Sequence, residues 1–239
     1  MTTAPRPQVS AGDLSQLDLP KHQEQSSMRA QVGDALRALL VSGRMRPGSV
    51  YSAPKLAAQF GVSATPVREA MLDLVSEGMV EVVRNKGFRV TELSDAELDA
   101  MAELRLLIEV PAMGMVAEAC EGDLVGEVEA LRPLADEIRS AAAEGDLVRY
   151  IEADTEFHLR FLALHGNDHI VQVVRYLRSR SRLYGLEQLS GTGLMITLCE
   201  EHQEMVQAAL DRDGDRMRDV VATHIGHVRS VWAGHTDGE

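Results

Sequence analysis

The chain has 239 residues, 45% of them hydrophobic and only 4% aromatic, and its formal net charge is −13. That is ample apolar material for one large or two modest cores without covalent staples, and the dominance of Ala, Leu, Val and Met favours packed helices over a sheet sandwich. Two cysteines, Cys120 and Cys199, are too few for a disulfide framework, and no stretch approaches the roughly 20 apolar residues of a membrane span, so a cytoplasmic protein with no membrane partner is expected.

The charge is unevenly placed. Residues 1–93 hold 11 Lys/Arg against 9 Asp/Glu, whereas residues 94–239 hold 13 against 28. Residues 1–27 mix Pro, Gln, Ser and Asp without an apolar period and read as a disordered tail. From Met28, the spacing of Val32, Leu36, Leu39 and Leu40 predicts a helix that "GRMRPGS" closes. "APKLAAQF", residues 53–60, predicts a short second helix ending at Gly61. "TPVREAMLDLVSEG", residues 65–78, predicts a third, with Thr65 as its N-cap and Pro66 in its first turn. "VEVVR" and "FRVTE" flank "NKG", which predicts a β-hairpin with Gly87 at positive φ.

Helix, helix, helix, hairpin is the order of a winged helix-turn-helix, here spanning residues 28–93. Such a head presents the N-terminal side chains of its third helix to the major groove of double-stranded DNA. Ser63, Thr65 and Arg68 are therefore the expected DNA contacts, joined by Lys55, Lys86 and Gly87, with Arg44, Arg46 and Arg89 available for phosphates. In isolation "TPVRE" is equally an ordinary helix start with a solvated arginine; the order of elements around it carries the nucleic-acid reading.

The stretch "LAAQFGVSATPVREAMLDLVSEGMVEVVRNKGFRVTELS" resembles the DNA-binding domain of the GntR family of bacterial transcriptional regulators. The resemblance implies a regulator, expected here to be a repressor, that reads an operator. The chain departs from the family pattern at Ala64, where members commonly carry an arginine that takes part in operator contact, and "SAPK", residues 52–55, lacks a frequent acidic residue.

From residue 94 to 235 the chain reads as amphipathic helices at about 95–120, 123–144, 146–165, 168–189, 192–212 and 214–232, with Ser94 as the first N-cap. The expected fold is thus mainly α: a winged head with a small hairpin wing, plus an all-α bundle of about six helices.

Polar residues interrupt the apolar stripes of that bundle. One stripe runs Leu147, Ile151, Asp154, His158, Phe161, His165; another runs Leu198, His202, Met205 or Val206, Ala209; the last runs Met217, Val221, His224, Val228. A lone histidine on such a stripe is ordinarily a hydrogen-bonded core residue. Three of them, with an aspartate at i,i+4 from one, form a set able to hold a divalent transition metal, because the i,i+4 pair presents two ligand atoms on one face and facing helices supply two more. Cys199, His165 and His227 lie close enough to these faces to serve instead. Zinc is the expected ion, and nickel, manganese and iron suit the same ligands.

Arg105 falls on the stripe Leu98, Met101, Arg105, Ile108, Ala112, Met115, so its guanidinium is expected inside the bundle, paired with an internal acid such as Glu109 or Glu156 or with a bound carboxylate. Arg175, Arg178, Arg180 and Arg182 read as partners of acidic helices.

This half is similar to the FCD ligand-binding domain of the FadR subfamily, whose metal-binding members use one Asp and three His. The resemblance implies Asp154, His158, His202 and His224 as metal ligands and a small carboxylate effector reaching both the metal and Arg105. A homodimer with two heads on a palindromic operator is expected, since one head offers few base contacts. A metal-dependent hydrolase and a regulator with a purely structural metal are the alternatives; no residue stands out as a general base, so no enzyme activity is expected.

Overall fold

The protein is described by a computed structural model over residues 27–181 and 193–232. The expected tail, Arg182, His22, His235 and the end of the helix predicted at 168–189 lie outside the described residues. The head begins with α1 (Met28–Val41), whose N-cap Ser27 accepts a hydrogen bond from Ala30 N. Then come β1 (Val50–Tyr51), α2 (Ala53–Phe60), α3 (Ala64–Ser76), β2 (Val80–Val83) and β3 (Gly87–Val90). Val32, Leu36 and Leu40 of α1, Leu56 of α2, Val67, Met71 and Leu74 of α3 and Phe88 of β3 form one core.

The wing is a three-stranded antiparallel sheet in the order β1-β3-β2, with Val80 opposite Val90 and Tyr51 opposite Phe88. The two-residue β1 carries no period of its own and is absent from the expected hairpin. Gly87 has φ +131, and a Cβ there would stand 2.3 Å from the Tyr51 carbonyl oxygen. Its glycine is thus required by the close approach of β1. Helix α3 starts two residues earlier than expected: Ser63, not Thr65, is the N-cap. The first turn of a helix leaves its N–H groups without intrahelical partners, so Pro66 is accommodated there without setting the start.

The bundle comprises α4 (Asp95–Glu118), α5 (Asp123–Glu129), α6 (Arg132–Glu144), α7 (Leu147–Ala163), α8 (Asp168–Ser181), α9 (Gly193–Leu210) and α10 (Gly214–Trp232). Ser94 and Glu97 close a reciprocal capping box on α4. The helix predicted at 123–144 is two helices. Pro133 lacks an N–H and would clash with the preceding turn, so the chain restarts with the proline in the first turn of α6.

Helix α4 continues through Pro111 and packs along α10. Its buried side starts as predicted at Leu98 and Arg105, but by Met115 the residue is 45% exposed and Val116 and Ala117 have taken its place. A seven-residue pattern drifts by about 20° per heptad against a straight helix, which turns Met115 out of the core. A continuous apolar core joins α4 to α10 through Phe157, Phe161, Met205 and Val221. The head rests on the bundle where α1 meets α7 and where Ser179 of α8 donates to the carbonyl of Glu77 at 2.7 Å.

Candidate metal centre and nucleic-acid interface

Helix α7 brings the first two ligands. Asp146 caps it, accepting from Arg149 N at 3.1 Å, and Ala153, Asp154, Phe157, His158 and Phe161 form its buried face. Asp154 and His158, one turn apart, point to the same side. Helix α9 adds His202 and α10 adds His224. All four side chains are fully buried, and one ligand atom from each lies within 4.8 Å of the others. Cys199 is outside this group: it is buried with its Sγ 3.0 Å from the Met195 carbonyl. His165 is also outside it, and His227 sits 45% exposed at its edge.

His158 Nε2 and His202 Nε2 are 3.2 Å apart, and His202 Nε2 is 3.3 Å from Asp154 Oδ1. His158 Nε2 is 4.0 Å from the same oxygen. Ligands at about 2.0–2.1 Å from one tetrahedral ion stand about 3.3 Å apart, so the spacing suits a small divalent cation. His224 donates through Nδ1 to Glu201 Oε2 at 2.7 Å, which fixes the ring and leaves its buried Nε2 without a hydrogen-bond partner. A buried, orphaned imidazole nitrogen beside two other imidazoles is costly unless a cation receives its lone pair. The residues present therefore fit a metal ion, which when bound would supply two positive charges.

The electrostatics at His158 and His224 agree with neutral, ligating imidazoles. Burial holds His158 well below 6.5, and the Arg178 guanidinium pushes the same way. Burial also lowers His224 to about 4, although its hydrogen bond to Glu201 pulls upward. Glu201 itself is half-shielded, which disfavours its charge, but the hydrogen bonds from His224 and from His227, the latter at 2.7 Å, hold it below the usual carboxylate range.

Arg105 points inward as its stripe requires and is 1% exposed, with Nε 2.5 Å from Glu109 Oε1. Glu156 is paired instead with Arg160 on the surface. Burial alone would push the Glu109 carboxyl up; Arg105 and Arg178 outweigh it and hold it low. Glu109 Oε2 lies 3.8 Å from His158 Nδ1 and 3.6 Å from Arg178 Nη1. Arg178, expected only as a partner of acidic helices, is fully buried and pairs with the candidate ligand Asp154. Glu109, Glu201 and Arg178 thus join the site; the signal for Arg178 was its place at i+4 from Val174 on the buried side of α8.

On the head, Ser63, Thr65, Arg68, Lys55 and Lys86 are all exposed, with Gly87 half-buried in the wing. Ser63 makes no side-chain capping bond, so its hydroxyl and the first-turn N–H groups of α3 are open to an anion.

A winged helix-turn-helix head seated on an all-helical bundle is the arrangement of a DNA-binding regulator. Residues 28–90 match the gntR family of bacterial regulatory proteins, and residues 100–227 match the FCD domain. The Nta operon transcriptional regulator of Aminobacter aminovorans is 30% identical over 187 residues, covering 78% of this chain and 86% of that protein. The transcriptional repressor GlaR of Escherichia coli K12 is 26% identical over 194 residues, covering 78% and 87%. The solved structure of E. coli McbR/YncC superposes with a TM-score of 0.69 at 24% identity, covering 88% of this chain and 99% of that one, and so shares its fold. The chain belongs to the GntR family, in its FadR-like group with an FCD domain, and is a transcriptional regulator.

Proposed function

We propose that the protein is a cytoplasmic homodimeric repressor whose bundle, residues 94–235, binds a divalent transition metal through Asp154, His158, His202 and His224, together with a small carboxylate that changes operator binding by the heads, residues 28–93. The observation that carries this reading is the fully buried cluster itself, with the His224 Nε2 orphaned inside it. Zinc suits the ligand set best, being at home with imidazole and carboxylate at this spacing. A carboxylate effector would reach Arg105 by displacing Glu109, and dimerisation would place two copies of α3 on a palindrome. No enzymatic step is assigned to the site.

Titration of a labelled fragment from the region upstream of its own gene, with zinc and a panel of small organic acids, tests the reading. Operator binding at low salt that shifts with an acid in the presence of metal is the expected result; no binding at any salt would remove the regulatory role. Loss of stoichiometric zinc in His158→Ala plus His224→Ala is expected, and retention would sink the ligand assignment.

One observation favours a second reading. Arg105 is already engaged by Glu109, which suits a metal that clamps α7, α9 and α10 without an effector. In that case zinc raises the melting temperature and no organic acid adds to it.

A further inference from the structure

Helix α8 meets both halves of the molecule within consecutive residues. Arg178 turns inward to Asp154 and Glu109. Ser179, next in the chain, turns to the head, where its hydroxyl reaches the Glu77 carbonyl at 2.7 Å, closer than the Tyr176 carbonyl of its own helix at 2.9 Å. Glu77 is the C-cap of α3, the helix whose other end carries Thr65 and Arg68.

The seat is tight. At Gly78, with φ +75, a Cβ would stand 2.8 Å from Arg180 Cγ and 3.3 Å from Tyr176 Cε2, so the same turn of α8 closes over the residue that follows the cap. The Glu77 carboxylate is held by Arg37 of α1 at 2.5 Å, so a shift at Glu77 is felt by two helices of the head.

We propose that Ser179 is a positioning residue that relays the state of the buried cluster to the recognition helix, along the chain Asp154, Arg178, Ser179, Glu77. This rests on the reading of Asp154 as a metal ligand in a DNA-binding regulator. The physical cause is competition for one carboxylate: a divalent cation held by Asp154 attracts the charge that now holds Arg178, and repels the guanidinium. Arg178 and Ser179 share a helical turn, so a change in the first displaces the second, and the hydroxyl passes the displacement to the end of α3. The route is defined by physical contact, and energetic coupling along it is what an experiment must show.

The test compares operator affinity in chelator and in saturating zinc for the full-length wild type, Ser179→Ala and Ser179→Thr, with zinc affinity measured by competition against a chromophoric chelator. In the wild type the two affinities differ. In Ser179→Ala the ratio between them is expected to contract by about two- to tenfold, the worth of one hydrogen bond, while zinc affinity is unchanged; Ser179→Thr, which keeps the hydroxyl, retains the ratio. A wild-type ratio in Ser179→Ala overturns the proposal, as does an equal loss of affinity in both conditions, which marks a structural contact only. A wild type whose affinity ignores zinc overturns the metal-responsive reading beneath it and the relay together.

Discussion

Glu201 does its work from behind His224, one hydrogen bond beyond a candidate ligand. It accepts from Nδ1 of His224 and is shared with the exposed His227, so it sets which nitrogen of His224 faces the cluster. Replacing such an outer partner commonly costs 10- to 100-fold in metal affinity, by order of magnitude about that. Glu201→Gln is therefore expected to weaken zinc binding by about 10- to 100-fold in a chelator competition, with helical content preserved. Arg178 offers a second expectation. Removing one partner of a buried ion pair leaves the other charge uncompensated and costs about 3–5 kcal/mol. Arg178→Ala is expected to lose about that much stability in chelator, by urea denaturation, and to recover part of it in zinc, because the ion then neutralises Asp154. Equal loss in both conditions would mean that Asp154 does not meet the metal. These residues also show where sequence reading stops. Asp154, His158, His202 and His224 were legible because each occupies a position where a helical period calls for a hydrophobe. Arg178 occupies such a position too, but it sits in a run with Arg175, Arg180 and Arg182 that reads as a set of partners for acidic helices. Glu201 lies beside Glu200 on the partly exposed side of its helix, and nothing in the spacing separates one from the other.

At the scale of elements, the wing depends on a contact that the chain cannot announce. Gly87 read as a turn glycine, and its positive φ agrees, but the stronger demand is the Tyr51 backbone 2.3 Å from where a Cβ would be. Gly87→Ala is accordingly expected to unseat β1 and distort the wing. Head resonances in a heteronuclear NMR spectrum report this, with those of the bundle core undisturbed; an unperturbed wing would show that β1 gives way freely. Helix limits followed the same logic. The capping box at Ser94 and the start at Gly214 were readable from local chemistry, whereas the break at Ala130–Leu131 was hidden because Leu131 and Ala135 continue the apolar period across it.

At the scale of the molecule, a ligand that binds the folded chain alone stabilises it by about 1.4 kcal/mol for each tenfold rise in free concentration above its dissociation constant. The melting temperature is thus expected to climb with the logarithm of free zinc, and to fall back on chelation, in the wild type but not in His158→Ala plus His224→Ala. A flat response in the wild type would show that zinc is not held by the native fold. The two-part architecture was legible from the order of elements and the split of charge. How the parts touch was not, because the junction is made by a serine hydroxyl, a glycine and the flank of an arginine, none of which interrupts a pattern.

The pairing of Asp154 with Arg178 bears on the order of events in the cell. Small metal-dependent domains are often shapeless until the ion arrives, since their ligands have nothing else to do with their charge. Here a guanidinium pairs with the aspartate and the bundle has its own apolar core, so, on the metal-binding reading proposed above, the newly made chain would complete its fold first and acquire the ion afterwards. On that reading the regulator would exist as two finished species, one charged with metal and one not, and their ratio would follow the metal available when the protein was last able to exchange it.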